Sequence, residues 1–235
     1  MILGRMLTAG GSDGAAGFTS AYLTRASGVT GLVDNKVGTV SAFYYIASPD
    51  DLRVIGVARS GDDNLYIGSE FGTLQIFGRN AEGVRLNMHS VASLSTNRWA
   101  HLMASWDLSV SSRRHIYLDG SPSLSVTSFE DDVVTYTGRE FAVGRSFGGG
   151  SYTGRFAEVW FDDVYIDLSQ SANRLKFRAA DGTPAKMGAT GQNPTGSTPL
   201  VYFPRFLQMR AGRNLGTGGD FVLSGMITRV LGGPW

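Results

Sequence analysis

Residues 98–168 constrain the fold more than any other stretch. They contain RWAHLMASWDLS, then RHIYLDG, then FAVGRSFGGGSYTGRFAEVWFDDVYIDL. Each piece alternates as a β-strand does, and short polar or glycine turns separate the pieces. In Trp99–Asp107 one parity holds Trp99, His101, Met103 and Ser105, and the other holds Ala100, Leu102, Ala104 and Trp106. Both parities are largely apolar, which predicts a strand covered on both faces. Ile116, Tyr117 and Leu118 run into Asp119-Gly120, a dipeptide that readily takes the positive φ angles of a tight hairpin turn. The expected fold is all-β: an antiparallel two-sheet sandwich.

Composition agrees with that class. At 235 residues the chain has the length of one large sandwich, and a chain of this size buries roughly 70–75% of its unfolded surface. The 32 glycines are about twice the usual share. They have no fixed period, which excludes collagen, and they punctuate the apolar alternations where turns belong. With no cysteine there are no disulfides, thiolate nucleophiles or zinc–cysteine sites. Net charge is +1, and no run of Lys or Arg occurs, so no nucleic acid is expected as a partner. No stretch of about 18 apolar residues suggests membrane insertion. In MILGRMLTAGGSDGAAG, Gly4 and Arg5 interrupt the apolar residues, so no secretory segment is expected. A chain without one stays in the cytoplasm or leaves it by lysis or inside an assembly.

Residues 1–17 are Gly/Ala/Ser-rich and are expected to form an N-terminal arm, whose Ile2, Leu3, Met6 and Leu7 can fray or dock on a partner. Residues 18–235 are expected to be a single domain. Strand candidates recur every 8–12 residues or so, the spacing of a sandwich. Within 73–79, Gln75 and Arg79 mark the wet side and Leu74 and Ile76 the other. One short helix is predicted near 169–177, capped by Ser169 or Ser171, with Asp167 near its positive end. Residues 183–199 form a polar loop with three prolines. The 36 residues after it are too few for a second core, so they read as strands returning to the same sheets.

The order of these pieces carries a resemblance. Trp99-x-His101, Asp107, Ile116 through Gly120, Phe141-Ala142-Val143-Gly144 and Tyr152 through Trp160 together resemble the laminin-G-like, concanavalin A-like jelly-roll superfamily of lectins and glucanases. The resemblance implies a jelly roll in which Trp99, His101, Trp106, Asp119, Gly120, Gly144, Gly154 and Trp160 are structural. The stretch from Phe161 through Phe203, and NLGTGGDFVLSGMIT near the end, are similar to a jelly-roll family encoded by tailed bacteriophages and prophages. That similarity implies a non-enzymatic virion protein on tail, baseplate or capsid. Its partners would be other virion proteins, copies of itself and host-surface polysaccharide.

Candidate chemistry is sparse. A retaining glycosidase needs two carboxyl groups about 5–5.5 Å apart, and glucanases of the resembled superfamily carry them as Glu-x-Asp-x-(x)-Glu. That motif is missing. Glu158 and Asp162 share strand parity, but no second glutamate follows, and Asp162-Asp163 reads as a turn. No catalytic residue is therefore assigned, and Glu158 is the one carboxylate a hydrolase would use. His89, His101 and His115 are scattered, without a Gly-x-Ser-x-Gly partner, and His101 reads as a satisfied structural histidine. No metal ligand is assigned. Related domains bind Ca²⁺ through loop aspartates, which makes Asp62, Asp63, Asp131 and Asp132 the calcium candidates, with turn formation as the competing explanation. No other cofactor is expected.

For a saccharide, the candidates are Tyr66 and Asn64 beside the Asp62-Asp63 pair, and Tyr152 and Arg145 in GRSFGGGSYTG. Most aromatic residues alternate within strands and belong in the core. That glycine loop lacks the Gly-Lys-Ser/Thr ending of a phosphate cradle and leads into no helix. The leading functional expectation is the phage recognition protein. The alternatives are a free lectin or glycan hydrolase, and a decoration protein that only reinforces a capsid.

Overall fold

A computed structural model describes residues 14–59 and 62–235. The chain begins with β1 (Ala15–Arg25), β2 (Val37–Tyr45), β3 (Arg53–Ala58), β4 (Asp63–Glu70), β5 (Thr73–Asn80) and β6 (Gly83–Ser93). It continues with β7 (Ala100–Asp107), β8 (Arg114–Leu118), β9 (Ser121–Pro122), β10 (Leu124–Phe129), β11 (Phe141–Val143), β12 (Arg145–Ser146) and β13 (Gly150–Asp162). Helix α1 (Ser171–Arg174), β14 (Val201–Phe203), helix α2 (Phe206–Ala211) and β15 (Val222–Val230) complete it. The strand ladders are antiparallel. No helix among the described residues is long and apolar enough to cross a membrane.

Two leaves face each other. One runs β10-β6-β5-β4-β3-β11 and the other β13-β2-β7-β8-β9, with β1 between them in the hydrogen-bonded order. β1 joins the leaves by changing partners. Its residues Ala16–Phe18 pair with Phe156–Gly154 of β13, and Leu23–Arg25 pair with Val143–Phe141 of β11. The switch falls at an irregularity around Ser20, whose φ is +46°. Bulges of this kind let a strand turn a sandwich corner. The core between the leaves takes Ile55, Ile67 and Ile76 from one side and Tyr44, Leu102 and Phe161 from the other.

The outer face of the second leaf is covered as well. Met103, Trp160 and Tyr202 on that face meet Ile166, Leu168, Phe177 and Met187 from the long loop that follows β13. Every residue of β7 is buried, which is what its two apolar parities predict. The indole N–H of Trp160 donates to Gly191 O at 2.9 Å, fastening the covering loop to the sheet.

The motif residues sit in or beside strands and turns, and one polar atom among them, Nδ1 of His101, is buried without a hydrogen-bond partner. Asp119 and Gly120 both have positive φ, +50° and +83°, and the Asp119 carboxylate accepts the backbone N–H of His101 at 2.9 Å. His101 is buried, stacks on Phe43 at 4.1 Å and shares a 2.8 Å hydrogen bond with Ser41. Burial, aided by the Arg178 charge, pushes its pKa down to about 3, so it stays neutral. Gly144 and Gly154 sit at positive φ, and a side chain on Gly154 would run into the Tyr152 phenol. Trp99 is half-buried beyond the edge of β7, where its indole N–H donates to Gly232 O at 2.9 Å.

Three expectations need correction. Residues 15–17 belong to β1 and not to a loose arm, because β13 and β15 flank them and bury Ala15 and Ala16 completely. The rest of the arm, up to residue 13, lies outside the described residues. The helix near 169–177 shrinks to α1, and neither serine caps it, since Gln170 holds the N-cap position without a side-chain bond. A second helix, α2, was not foreseen. Pro204 cannot extend the β14 ladder, and α2 then buries Phe206 and Met209 before stopping at Gly212, with φ +66°.

Candidate functional site

The first leaf presents a groove on its outer face. Alternation sends Leu65, Ile67, Leu74 and Ile76 into the core and turns Tyr66, Gln75 and Phe77 outward. Register places Tyr66 opposite Phe77 and Gly68 opposite Gln75. The Tyr66 ring lies across Gly68, where any Cβ would strike the phenol. Its hydroxyl donates to Ser69 O at 3.0 Å, and burial pushes its pKa up to about 12, so it remains a donor. Arg53, Ser69 and Glu70 edge the groove on one side, and Ser146, Gly148 and Gly149 on the other. The space is about 380 Å³, within the usual range of ligand pockets.

Asp63 builds the far wall. Its buried carboxylate accepts from Ser146 Oγ at 2.7 Å, from Phe147 N at 3.1 Å and from Gly148 N at 3.3 Å. Burial lifts its pKa, against the opposing pull of those donors. Beside this wall, Arg145 is sandwiched between the Tyr22 and Phe147 rings, each 4.7 Å from the guanidinium carbon.

The saccharide candidates are therefore divided. Tyr66 lines the groove, as does Asp63. Asn64 is buried. Arg145 supports the loop and is absent from the groove lining. Tyr152 is not a surface platform: it is fully buried against Phe156 at 4.2 Å and Phe18 at 5.6 Å, and its hydroxyl donates to Arg155 O and Tyr45 O. Its place opposite Ala21 of β1 puts it in the core. Sequence reasoning missed Arg53, Glu70, Gln75 and Phe77 as a group. Phe77 shares parity with Gln75 and Arg79 on the wet side of β5, which was the available signal.

The calcium candidates do not fit a calcium ion. Asp62 pairs with Arg79 at 3.0 Å, and the Asp63 oxygens take the loop donors described above. Asp131 pairs with Lys36 at 2.9 Å, and Asp132 pairs with Arg85 at 3.0 Å and accepts from Asn80 at 2.8 Å. A hard cation needs six to eight oxygens around one point, and here at least one oxygen of each carboxylate already faces an N–H group, a hydroxyl or a cation. Among the described residues no cluster of three metal-type ligands forms.

The carboxylates considered for hydrolysis separate too. β13 carries one extra residue against β2, between the Ala157–Phe43 and Trp160–Ser41 pairs. Glu158 sits in that bulge with φ +53°. It lines a cavity of about 470 Å³ with Tyr202 and Arg205, whereas Asp162 lines a different one with Tyr165 and Lys176. Trp160 stands between them in the strand. Burial lifts the Glu158 pKa to about 7 and that of Asp162 to about 6. Asp162 accepts the Leu200 N–H at 3.2 Å, which makes it an anchor for the covering loop.

A family model described as the concanavalin A-like lectin/glucanases superfamily matches residues 17–170. No curated protein matches the chain. Among solved structures, a candidate carbohydrate-binding protein from Bacteroides ovatus is similar with a TM-score of 0.61 at 19% identity, covering 92% of this chain. This chain spans only 59% of that protein. The heptameric SAP-like pentraxin from Limulus polyphemus is similar with a TM-score of 0.51 at 14% identity, covering 92% of this chain and 94% of the pentraxin.

Proposed function

Because the chain belongs to the concanavalin A-like lectin/glucanase superfamily, we propose that it is a non-enzymatic recognition protein that grips a saccharide chain in the groove across β3, β4 and β5. The carrying observation is the juxtaposition of Tyr66 and Phe77 on adjacent strands, edged by Arg53, Glu70 and Gln75. Aromatic surface takes the apolar face of a sugar ring, and planar side chains beside it take the hydroxyls. Long-range sheet pairing holds these side chains, and Asp63 holds the opposite wall, so little ordering is needed on binding. The separation of Glu158 from Asp162 supports binding without cleavage.

In this reading the protein is displayed in several copies on the tail, baseplate or capsid of a tailed phage, where it binds host-surface polysaccharide or other virion proteins. The support is the similarity of residues 161–203 and of the stretch from Asn214 to the phage-encoded family. The test is retention of the pure protein on polysaccharide from the host surface, with chain length followed over time. Retention without shortening, lost in Phe77→Ala and Arg53→Ala at unchanged circular dichroism, supports the proposal. Shortening makes the protein a hydrolase, and retention untouched by both variants moves the site elsewhere. Mass spectrometry of purified particles tests the virion assignment separately.

A further inference from the structure

The cavity beside Glu158 shares no lining residue with the groove, and its chemistry differs. The bulge gives Glu158 a left-handed backbone, with φ +53°, a conformation that is unfavourable for a non-glycine residue. The N–H of Glu158 donates to Pro204 O at 3.0 Å, which holds the bulge against β14. The carboxyl group thus stands on the outer face, 6% exposed as a residue, beneath residues 184–189. Oε2 accepts the Tyr202 hydroxyl at 2.7 Å. Among the described residues no hydrogen bond reaches Oε1.

Two cations, Lys186 and Arg205, share this lining. Among the described residues neither has a carboxylate within 4.0 Å. Arg205 instead stacks on the Trp235 ring at 4.9 Å, and Trp235 is 38% exposed. The tail that carries Trp235 is fixed at Gly232 by the Trp99 indole. The LGGPW ending folds back onto this face of its own chain. The single carboxyl group of Glu158 cannot offset the two cations that share its lining, and burial, which lifts its pKa to about 7, further reduces its charge near neutrality. The cavity holds an excess of positive charge, an exposed indole and one carboxyl oxygen without a partner.

We propose that this cavity binds a single anionic sugar unit, with its carboxylate or phosphate on Arg205 and Lys186, its ring against Trp235 and a hydroxyl on Oε1 of Glu158. Arginine's planar fork suits both oxyanions. The indole selects a ring over a bare anion, and the cations select a charged sugar over a neutral one. The site is distinct from the groove and stands whether or not the groove binds saccharide.

The test is calorimetric titration of the full chain with glucuronate, galacturonate, glucose 6-phosphate, glucose, acetate and inorganic phosphate. At least one of the three anionic sugars is expected to bind ten-fold or more tighter than glucose and than the matching bare anion. The preferred oxyanion separates an acidic polysaccharide from a phosphorylated sugar as the source. Arg205→Gln and Trp235→Ala each weaken that binding ten-fold or more, while Phe77→Ala leaves it unchanged. Equal binding of glucose, equal binding of the bare anion, no binding of any anionic sugar, or indifference to both cavity variants overturns the proposal.

Discussion

Tyr202 donates its hydroxyl to Glu158 at 2.7 Å, and the receiving residue has a φ of +53°. The bond joins β14 to the bulge in β13, on the face that the long loop covers. Each group alters the titration of the other. Burial lifts the Glu158 carboxyl to about 7, and burial and the carboxylate together hold the Tyr202 hydroxyl protonated far above its ordinary range.

Stability is therefore expected to carry a pH signature from Glu158. The folded pKa of about 7 lies above the ordinary 4.5, so the folded state holds this proton more tightly than the unfolded chain does. The stabilisation is complete below pH 4.5, declines as pH rises, and is gone above about 7, a swing of roughly 3 kcal/mol. His101 acts in the opposite direction: with its pKa held near 3, its contribution is present above 6.5 and lost as pH falls. Comparison with Glu158→Gln isolates the glutamate. Urea unfolding from pH 4.5 to 8 is expected to show the variant gaining on the parent by up to about 3 kcal/mol. A constant difference would sink the assignment.

The wall of the groove depends on Asp63. Asp63→Ala leaves the Ser146 hydroxyl and the Phe147 and Gly148 amides without their acceptor, and an unsatisfied buried donor costs about 1–3 kcal/mol. Accelerated hydrogen exchange at Phe147 and Gly148, with a lower Tm, is the expected result. Adding a chelator to the parent protein is expected to leave Tm unchanged, because the candidate calcium ligands already have partners. A chelator-induced fall of several degrees would contradict that reading.

Gly68 sets the floor of the same groove. A methyl group there meets the Tyr66 phenol and Leu52 O. Gly68→Ala is expected to cost about 1–3 kcal/mol by overpacking and to lift Tyr66 out of position. Reduced retention on polysaccharide, beyond what the stability loss explains, is the check. Unchanged retention would mean that Tyr66 takes no part in recognition.

What the sequence reveals follows from how local each signal is. β7 was legible because its two apolar parities report two covered faces within eight residues, and Asp119-Gly120 because a positive-φ turn is a dipeptide property. Tyr152 was misleading because it follows a run of glycines and looks like a loop residue. Only its pairing with Ala21, far away in sequence, sends it inward. The Glu158 bulge is likewise invisible, since it arises from counting residues against β2. The Trp235 side of the second cavity needs the tail to fold back. Parity marked Gln75 as outward, so half of the groove was within reach, but the loop that closes it was not.

Trp106 and Tyr136 provide a test of the core itself. The Trp106 indole donates to the Tyr136 hydroxyl at 2.8 Å, and that hydroxyl donates to Val37 O at 2.8 Å. Both residues are at most 1% exposed, so water cannot replace either bond. The indole also lies where Gly38 leaves room for it, since a Cβ there would enter the ring. Tyr136→Phe removes the relay and is expected to cost about 1–3 kcal/mol, chiefly because the indole N–H is left unpaired in the core. In a Trp106→Phe background that N–H is already gone, so the same substitution should cost less. A double-mutant cycle by urea unfolding reads the coupling directly, and contacts of this kind couple by about 0.5–3 kcal/mol. Strictly additive costs would show that the bond contributes nothing to holding the segment between β10 and β11 against β7 and β2.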